Sequence, residues 1–247
     1  MSKLIGSLFL ALLTCTSFMH SATAQETDTI ADIWTCNFLP GKDMDDVETW
    51  RDFYASQLEQ ISSETEGFSA FMWTPRFAGA AVDLVWFEYH ENLNTSSRFN
   101  EAYEASGIGP SVDGMWESIL DCEGSQSFRR QVWAGDNFSV TTPVVVETFR
   151  CVFLPGMGFS QVEEALNAWS AVQNELPRSD EFIAFMFTPF HAASEFDVSF
   201  YGVYDSITDY GSITTDYLRS SSGQRMDASW REIQRCESRL WNARQML

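Results

Sequence analysis

The amino-acid sequence predicts an α+β protein built from two tandem copies of one strand-helix-strand-strand-helix-strand module, each copy closed by a disulfide. Three observations carry this reading. The chain repeats itself: at an offset of about 115 residues, Cys36, Phe38, Leu39, Pro40 and Gly41 fall on Cys151, Phe153, Leu154, Pro155 and Gly156. One residue short of that offset, Phe68, Ala70, Phe71, Met72, Thr74 and Pro75 fall on Phe182, Ala184, Phe185, Met186, Thr188 and Pro189, and Asp83 and Trp116 fall on Asp197 and Trp230. So long a period marks a domain rather than a solenoid unit. Helix-type and strand-type apolar periodicity then alternate in the same order in both copies. Finally, Cys122 and Cys236 also coincide, so the cysteines past the first residues form two equivalent pairs of positions.

Residues 1–24 read as a secretory signal peptide. Lys3 precedes an apolar run from Leu4 to Leu13, and the small residues Ala22, Thr23 and Ala24 stand before the polar Gln25. The run is about half the ~20 residues that a membrane-spanning helix needs, and no later stretch comes close. The mature chain is therefore expected to be soluble and exported, to the periplasm or the medium. The first repeat spans residues 25–134 and the second 144–247, joined by a linker at 135–143 that is polar from Gly135 to Thr142 and ends at Pro143.

In the first repeat, Ile33 to Leu39 is a strand stopped by Pro40 and Gly41. Asp43 to Ser62 is a helix, with Val47, Trp50, Tyr54, Leu58 and Ile61 at helical spacing. Phe68 to Thr74 and Val82 to Tyr89 are aromatic and β-branched runs around a turn containing Pro and Gly, which reads as a hairpin. A helical region follows from Leu93 to Leu120, and Ser127 to Trp133 is the last strand. The second repeat gives strands at Glu147 to Leu154, Phe182 to Thr188, Phe196 to Tyr204 and Arg239 to Arg244, with helices at Ser160 to Leu176 and before Gln234. This order is the ferredoxin-like βαββαβ unit.

In that unit the first and last strands are antiparallel neighbours, which brings Cys36 beside Cys122 and Cys151 beside Cys236. Each bridge would close a loop of roughly 86 residues. Strand exchange between the copies would instead cross the pairs. An even cysteine set in an exported chain favours disulfides, and the spacings contain neither Cys-x-x-Cys nor neighbouring histidines, so no metal site is expected. The formal charge of −20 disfavours nucleic acid and anionic lipid surfaces as partners.

The strand from Phe68 to Thr74 is apolar on both faces, with Phe68, Ala70 and Met72 on one and Phe71 and Trp73 on the other. A sheet covered by helices on one face would leave the second in water, so the other copy is the expected cover. In strand order, duplication and this two-sided strand, most of residues 30 to 247 resembles the dimeric α/β-barrel superfamily. Its members include antibiotic-biosynthesis-type monooxygenases and haem-degrading enzymes. The resemblance implies that the two modules pack sheet to sheet as an intrachain pseudo-dimeric barrel, and it raises oxygenase-like or haem-handling chemistry as an expectation. The paired cysteines depart from the superfamily's usual cytoplasmic members.

Residues shared by both copies read as structural. Thr74-Pro75 and Thr188-Pro189 are strand stops, since proline cannot donate to a ladder, and Asp83 and Asp197 cap turns. The copies differ on the third strand, where Trp86, Glu88 and His90 share a face at period two and face Phe200, Gly202 and Tyr204 in the alignment. A carboxylate beside an imidazole can form a proton-transfer pair, so Glu88 and His90 are the catalytic candidates; the plainer reading of His90 is a solvated strand end. His191 is expected in a hairpin turn. Trp86, Trp73 and Tyr54 are the candidate ligand-binding aromatics in a chain with nine tryptophans and twenty phenylalanines, although these rings also serve as core. No nucleophile or phosphate-loop motif is present. The sequence thus points to an exported binding or accessory protein, with a small hydrophobic ligand or a protein as partner and no cofactor. The alternative is a cofactor-independent oxygenase or haem-handling enzyme acting from the first repeat.

Overall fold

The computed structural model describes residues 29–77, 81–138, 143–191 and 195–247. The expected leader and residues 139–142 of the expected linker lie outside them. The first strand, β1 (Thr29–Phe38), starts earlier than its apolar run suggests and ends ahead of Gly41, whose φ of 81° makes the tight turn. Helix α1 (Met44–Leu58) begins at Asp43, whose carboxylate accepts from the Asp45 amide while the Asp46 carboxylate accepts from the Asp43 amide. The expected last turn, to Ser62, is instead 3₁₀ from Glu59 to Glu64.

The hairpin strands are β2 (Ser69–Pro75) and β3 (Leu84–His90). The expected long helical region divides into α2 (Leu93–Ser106) and α3 (Gly109–Glu117), parted at Gly107 with φ 75° and restarted by Pro110 in the first turn. Strand β4 (Leu120–Ala134) is twice the expected length and contains Cys122 rather than following it.

The second half continues with β5 (Val144–Phe153), α4 (Phe159–Gln173), β6 (Phe182–His191), β7 (Val198–Tyr204), α5 (Ile207–Arg219), α6 (Ser221–Ile233) and β8 (Gln234–Gln245). Pro75 ends β2, but Pro189 does not end β6. It sits opposite Ser127, beside a bulge in β6 itself: Pro189 and His191 oppose the consecutive residues Ser127 and Gln126, which leaves Phe190 without a partner on β4. His191 is correspondingly the last residue of β6, opposite Gln126, and not a turn residue.

All strand pairs are antiparallel, and the sheet closes into an eight-stranded barrel in the order β1-β3-β2-β8-β5-β7-β6-β4. Each half contributes four adjacent strands, and the β2–β8 and β4–β6 pairs join the halves. Period-two alternation sends Ile33, Trp73, Val85 and Phe87 into the barrel, where they meet Val146, Phe187, Tyr201 and Trp241. The opposite faces lie under the helices, α1 to α3 over the first half and α4 to α6 over the second. Disulfides join Cys36 to Cys122 and Cys151 to Cys236, each pair directly opposed across neighbouring strands at Cα separations of 4.1 and 4.0 Å. Asp83 and Asp197 accept from the amides of Phe38 and Phe153 and so tie each hairpin to the end of the adjacent strand. Among the described residues no helix is long and apolar enough to cross a membrane.

Candidate functional site

On β3 the alternation puts Trp86, Glu88 and His90 on the outer face, beneath α1 and α2. All are buried; His90, at 2% exposure, is no solvated strand end. Trp86 Nε1 donates to Glu88 Oε1 at 2.9 Å. Burial pushes the Glu88 carboxyl up to about 7; the Trp86 N–H opposes the rise, the Asp32 carboxylate adds to it, and His90 and the Tyr54 hydroxyl oppose it. His90 packs beside the stacked rings of Phe68 and Phe99, with centroids 5.4 and 5.1 Å away, and its Nε2 is 3.4 Å from Asp32 Oδ2 without hydrogen-bond geometry. No hydrogen bond joins Glu88 to His90 among the described residues.

The candidate aromatics are packed. Tyr54 and Trp86 lie 5.1 and 4.9 Å from Trp50, which also meets Trp116 at 4.2 Å. Trp73 points the other way, into the barrel, 4.0 Å from Phe87. The space beneath the first-half helices is therefore filled by rings.

The second half differs. Between the outer faces of β5, β6 and β7 and the helices α4, α5 and α6 lies a cavity of about 530 Å³, a size that suits a small-molecule ligand. Its walls combine aromatic side chains, among them Phe149, Trp169, Phe182, Phe200, Tyr204 and Trp230, with the aliphatic Leu166 and Ile213 and the polar Gln173, Thr214 and Gln234. Glu147 enters it from β5, and the Tyr210 hydroxyl, from α5, donates to Glu147 Oε1 at 3.1 Å. Burial pushes this carboxyl up to about 7, against the lowering effect of the Tyr210 hydrogen bond. At the rim, Asp227 pairs with Arg231 at 2.7 Å.

The same alignment that reveals the repeat explains why the cavity lies here. Trp34, Trp50, Trp86 and Phe99 become Phe149, Ala165, Phe200 and Ile213, and Glu88 becomes Gly202. Each of these changes removes volume, and together they remove more than the larger Trp169 and Tyr204, in place of Tyr54 and His90, restore. The Tyr204 ring occupies the space above Gly202, where a Cβ would meet its hydroxyl oxygen at 2.7 Å. Glu147 and Tyr210 were not singled out by sequence; Glu147 replaces Asp32, a like charge that raises no flag. The loss of a tryptophan and a glutamate between the copies was the available signal. His191 is exposed and borders a shallow recess with Asp32, Trp34 and Gln126.

No family model and no curated protein matches the chain. Solved structures do. A protein assigned as a monooxygenase from Lactobacillus acidophilus NCFM matches with a TM-score of 0.55 at 10% identity, over 89% of this chain and 95% of that one. A chlorite dismutase from Candidatus Nitrospira defluvii matches at 0.53 and 10%, over 90% and 93%, and an anthrone oxidase-like protein at 0.51 and 11%, over 90% and 94%. The chain has the dimeric α/β-barrel fold. At these identities the likeness is one of fold, and fold alone does not carry chemistry.

Because the dimeric α/β-barrel superfamily includes haem-degrading enzymes, the cavity's donor set matters. Haem iron takes an axial imidazole, thiolate, thioether or phenolate. Among the described residues no histidine or methionine lines the cavity, and Cys236 at its edge is held in a disulfide. The phenols are poor phenolates: burial pushes Tyr210 and Tyr217 up to about 12, and Tyr204 well above its ordinary value. These residues do not fit haem. No group of three or more His, Cys, Asp or Glu placed to hold a metal ion occurs among the described residues.

Proposed function

We propose that this protein is exported and binds a small, mainly apolar molecule in the second-half cavity, as a binding or accessory protein. The observation that carries the reading is the aromatic cavity of about 530 Å³ with one hydrogen-bonded carboxyl, Glu147, inside it. The residues support a binding site better than a cofactor site. Two disulfides and the leader-like residues 1–24 support export to an oxidising compartment, periplasmic or extracellular. In the same reading the barrel is a fused dimer of two ferredoxin-like modules, residues 25–134 and 144–247, of which the first has kept its interior filled and the second has opened.

Thermal unfolding of the mature chain against a panel of small aromatic and aliphatic compounds tests this. A ligand at a hundredfold its Kd stabilises by about 2.7 kcal/mol. At least one compound is expected to raise Tm in the native chain and to leave Tm unchanged in Ile213→Trp, where an indole fills the cavity from α5. No rise with any compound, or an equal rise in both chains, contradicts the proposal.

A second reading is favoured by one feature, the half-buried Glu147 carboxyl held up to about 7 beside Tyr210. A base poised near neutrality in an aromatic cavity suits proton abstraction from an acidic substrate, as a cofactor-independent oxygenase would need before dioxygen reacts. This places the candidate base in the second half, away from Glu88 and His90. Oxygen uptake abolished by Glu147→Gln and retained in His90→Ala would favour this reading over simple binding.

A further inference from the structure

Trp50 on α1 and Ala165 on α4 hold the same place in the two halves, so the surroundings of Trp50 indicate what the cavity is shaped to receive. The Trp50 indole lies 4.2 Å from Trp116, 4.9 Å from Trp86 in an edge-on arrangement and 5.1 Å from Tyr54, and its Nε1 donates to the Val112 carbonyl at 3.1 Å. The counterparts of those three rings are Trp230, Phe200 and Trp169, and all three line the second-half cavity. Aromatic rings stand at all three positions, Phe200 and Trp230 with centroids 5.5 Å apart, while the indole of Trp50 is replaced by the buried methyl group of Ala165.

We propose that the cavity's ligand is a planar aromatic of two fused rings, about the size of the Trp50 indole, carrying a hydroxyl or N–H that donates to Glu147. This deepens the binding proposal and rests on it. Aromatic walls favour a flat guest for a specific reason: offset and edge-to-face ring contacts add about 0.5–1.5 kcal/mol beyond area burial, which a globular aliphatic guest of equal volume does not gain. The polar end is placed by Glu147, whose two oxygens can accept more hydrogen bonds than the one from Tyr210. Leu166, Ile213, Gln173, Thr214 and Gln234 also line the cavity, with Asp227 and Arg231 paired at its rim, and the ligand's donor is placed at Glu147, the carboxyl that stands among the rings.

The test uses 2-naphthol and 1-adamantanol, which have the same number of carbons and one hydroxyl each but differ in shape. Equilibrium titration of the disulfide-intact chain is expected to show one 2-naphthol bound, with 1-adamantanol weaker by roughly tenfold or more, as ring contacts of this size predict. Ala165→Trp, which rebuilds the first-half packing, is expected to lose 2-naphthol by at least a similar factor. If Ala165→Trp is misfolded by circular dichroism, Trp50→Ala decides instead, with a second equivalent of 2-naphthol expected and a single one contradicting the proposal. Binding of 1-adamantanol as tight as that of 2-naphthol overturns the planar ligand and leaves the binding site standing. Unchanged naphthol affinity in Ala165→Trp overturns its placement. If neither probe binds while other compounds stabilise the chain, the ligand class fails alone; if nothing stabilises it, both proposals fail.

Discussion

Glu88, buried, and Glu147, half-buried, are carboxyls on the outer faces of β3 and β5, each pushed up to about 7 by burial. A carboxyl whose folded value lies above its unfolded one binds more protons folded than unfolded. Stability therefore falls as pH rises from about 4.5 to about 7 and stays at the lower level above that window. At about 1.4 kcal/mol per unit, the effect at the fully buried Glu88 is on the order of 3 kcal/mol. Glu88→Gln keeps an acceptor for Trp86 Nε1 and removes the charge. The variant is expected to be the more stable chain at pH 8 and to show a flatter decline of Tm between pH 4.5 and pH 8; an unchanged decline would show that Glu88 is not the group responsible. Sequence alone marked Glu88 and His90 as a pair because alternation on a strand is legible. It could not show that Trp50, Trp86 and Trp116 close the space around them, since ring packing depends on helix placement. Nor did it mark Glu147, because a Glu in place of Asp32 leaves the local pattern unchanged.

At the level of elements, strand pairing and the two bridges were readable because the repeat supplied each pattern twice and the apolar alternation fixed the faces. The limits of β4 and β8 were not. Glu123 to Gln126 and Arg235 to Ser238 are polar runs that read as loop, yet β4 lies between β1 and β6, and β8 between β5 and β2, so closure of the barrel supplies partners for their backbone groups. Pro189 misled for a similar reason, since the bulge at Phe190 beside it is set by the pairing of β6 with β4 and not by the local sequence. Each disulfide ties such a polar run to an apolar neighbour, Cys122 to β1 and Cys236 to β5. Replacing Cys36 and Cys122, or Cys151 and Cys236, by Ser pairwise is expected to cost roughly 4 kcal/mol through the unfolded chain. Urea unfolding should show this as a lower midpoint, and an unchanged midpoint would contradict it.

Across the whole molecule, the barrel gives both halves one shared core and leaves each its own helical layer, so the two outer layers can diverge without disturbing closure. One layer is packed around the Trp50 indole; the other surrounds a cavity. The proposed ligand binding, on one side only, rests on this asymmetry. Native mass spectrometry of the mature chain, purified from an oxidising compartment of its own host, bears on it most directly. The expected spectrum shows the doubly disulfide-bonded chain carrying one small non-covalent molecule, absent from Ile213→Trp. A native chain that carries nothing, or a molecule that persists in Ile213→Trp, would contradict a ligand site in the second half.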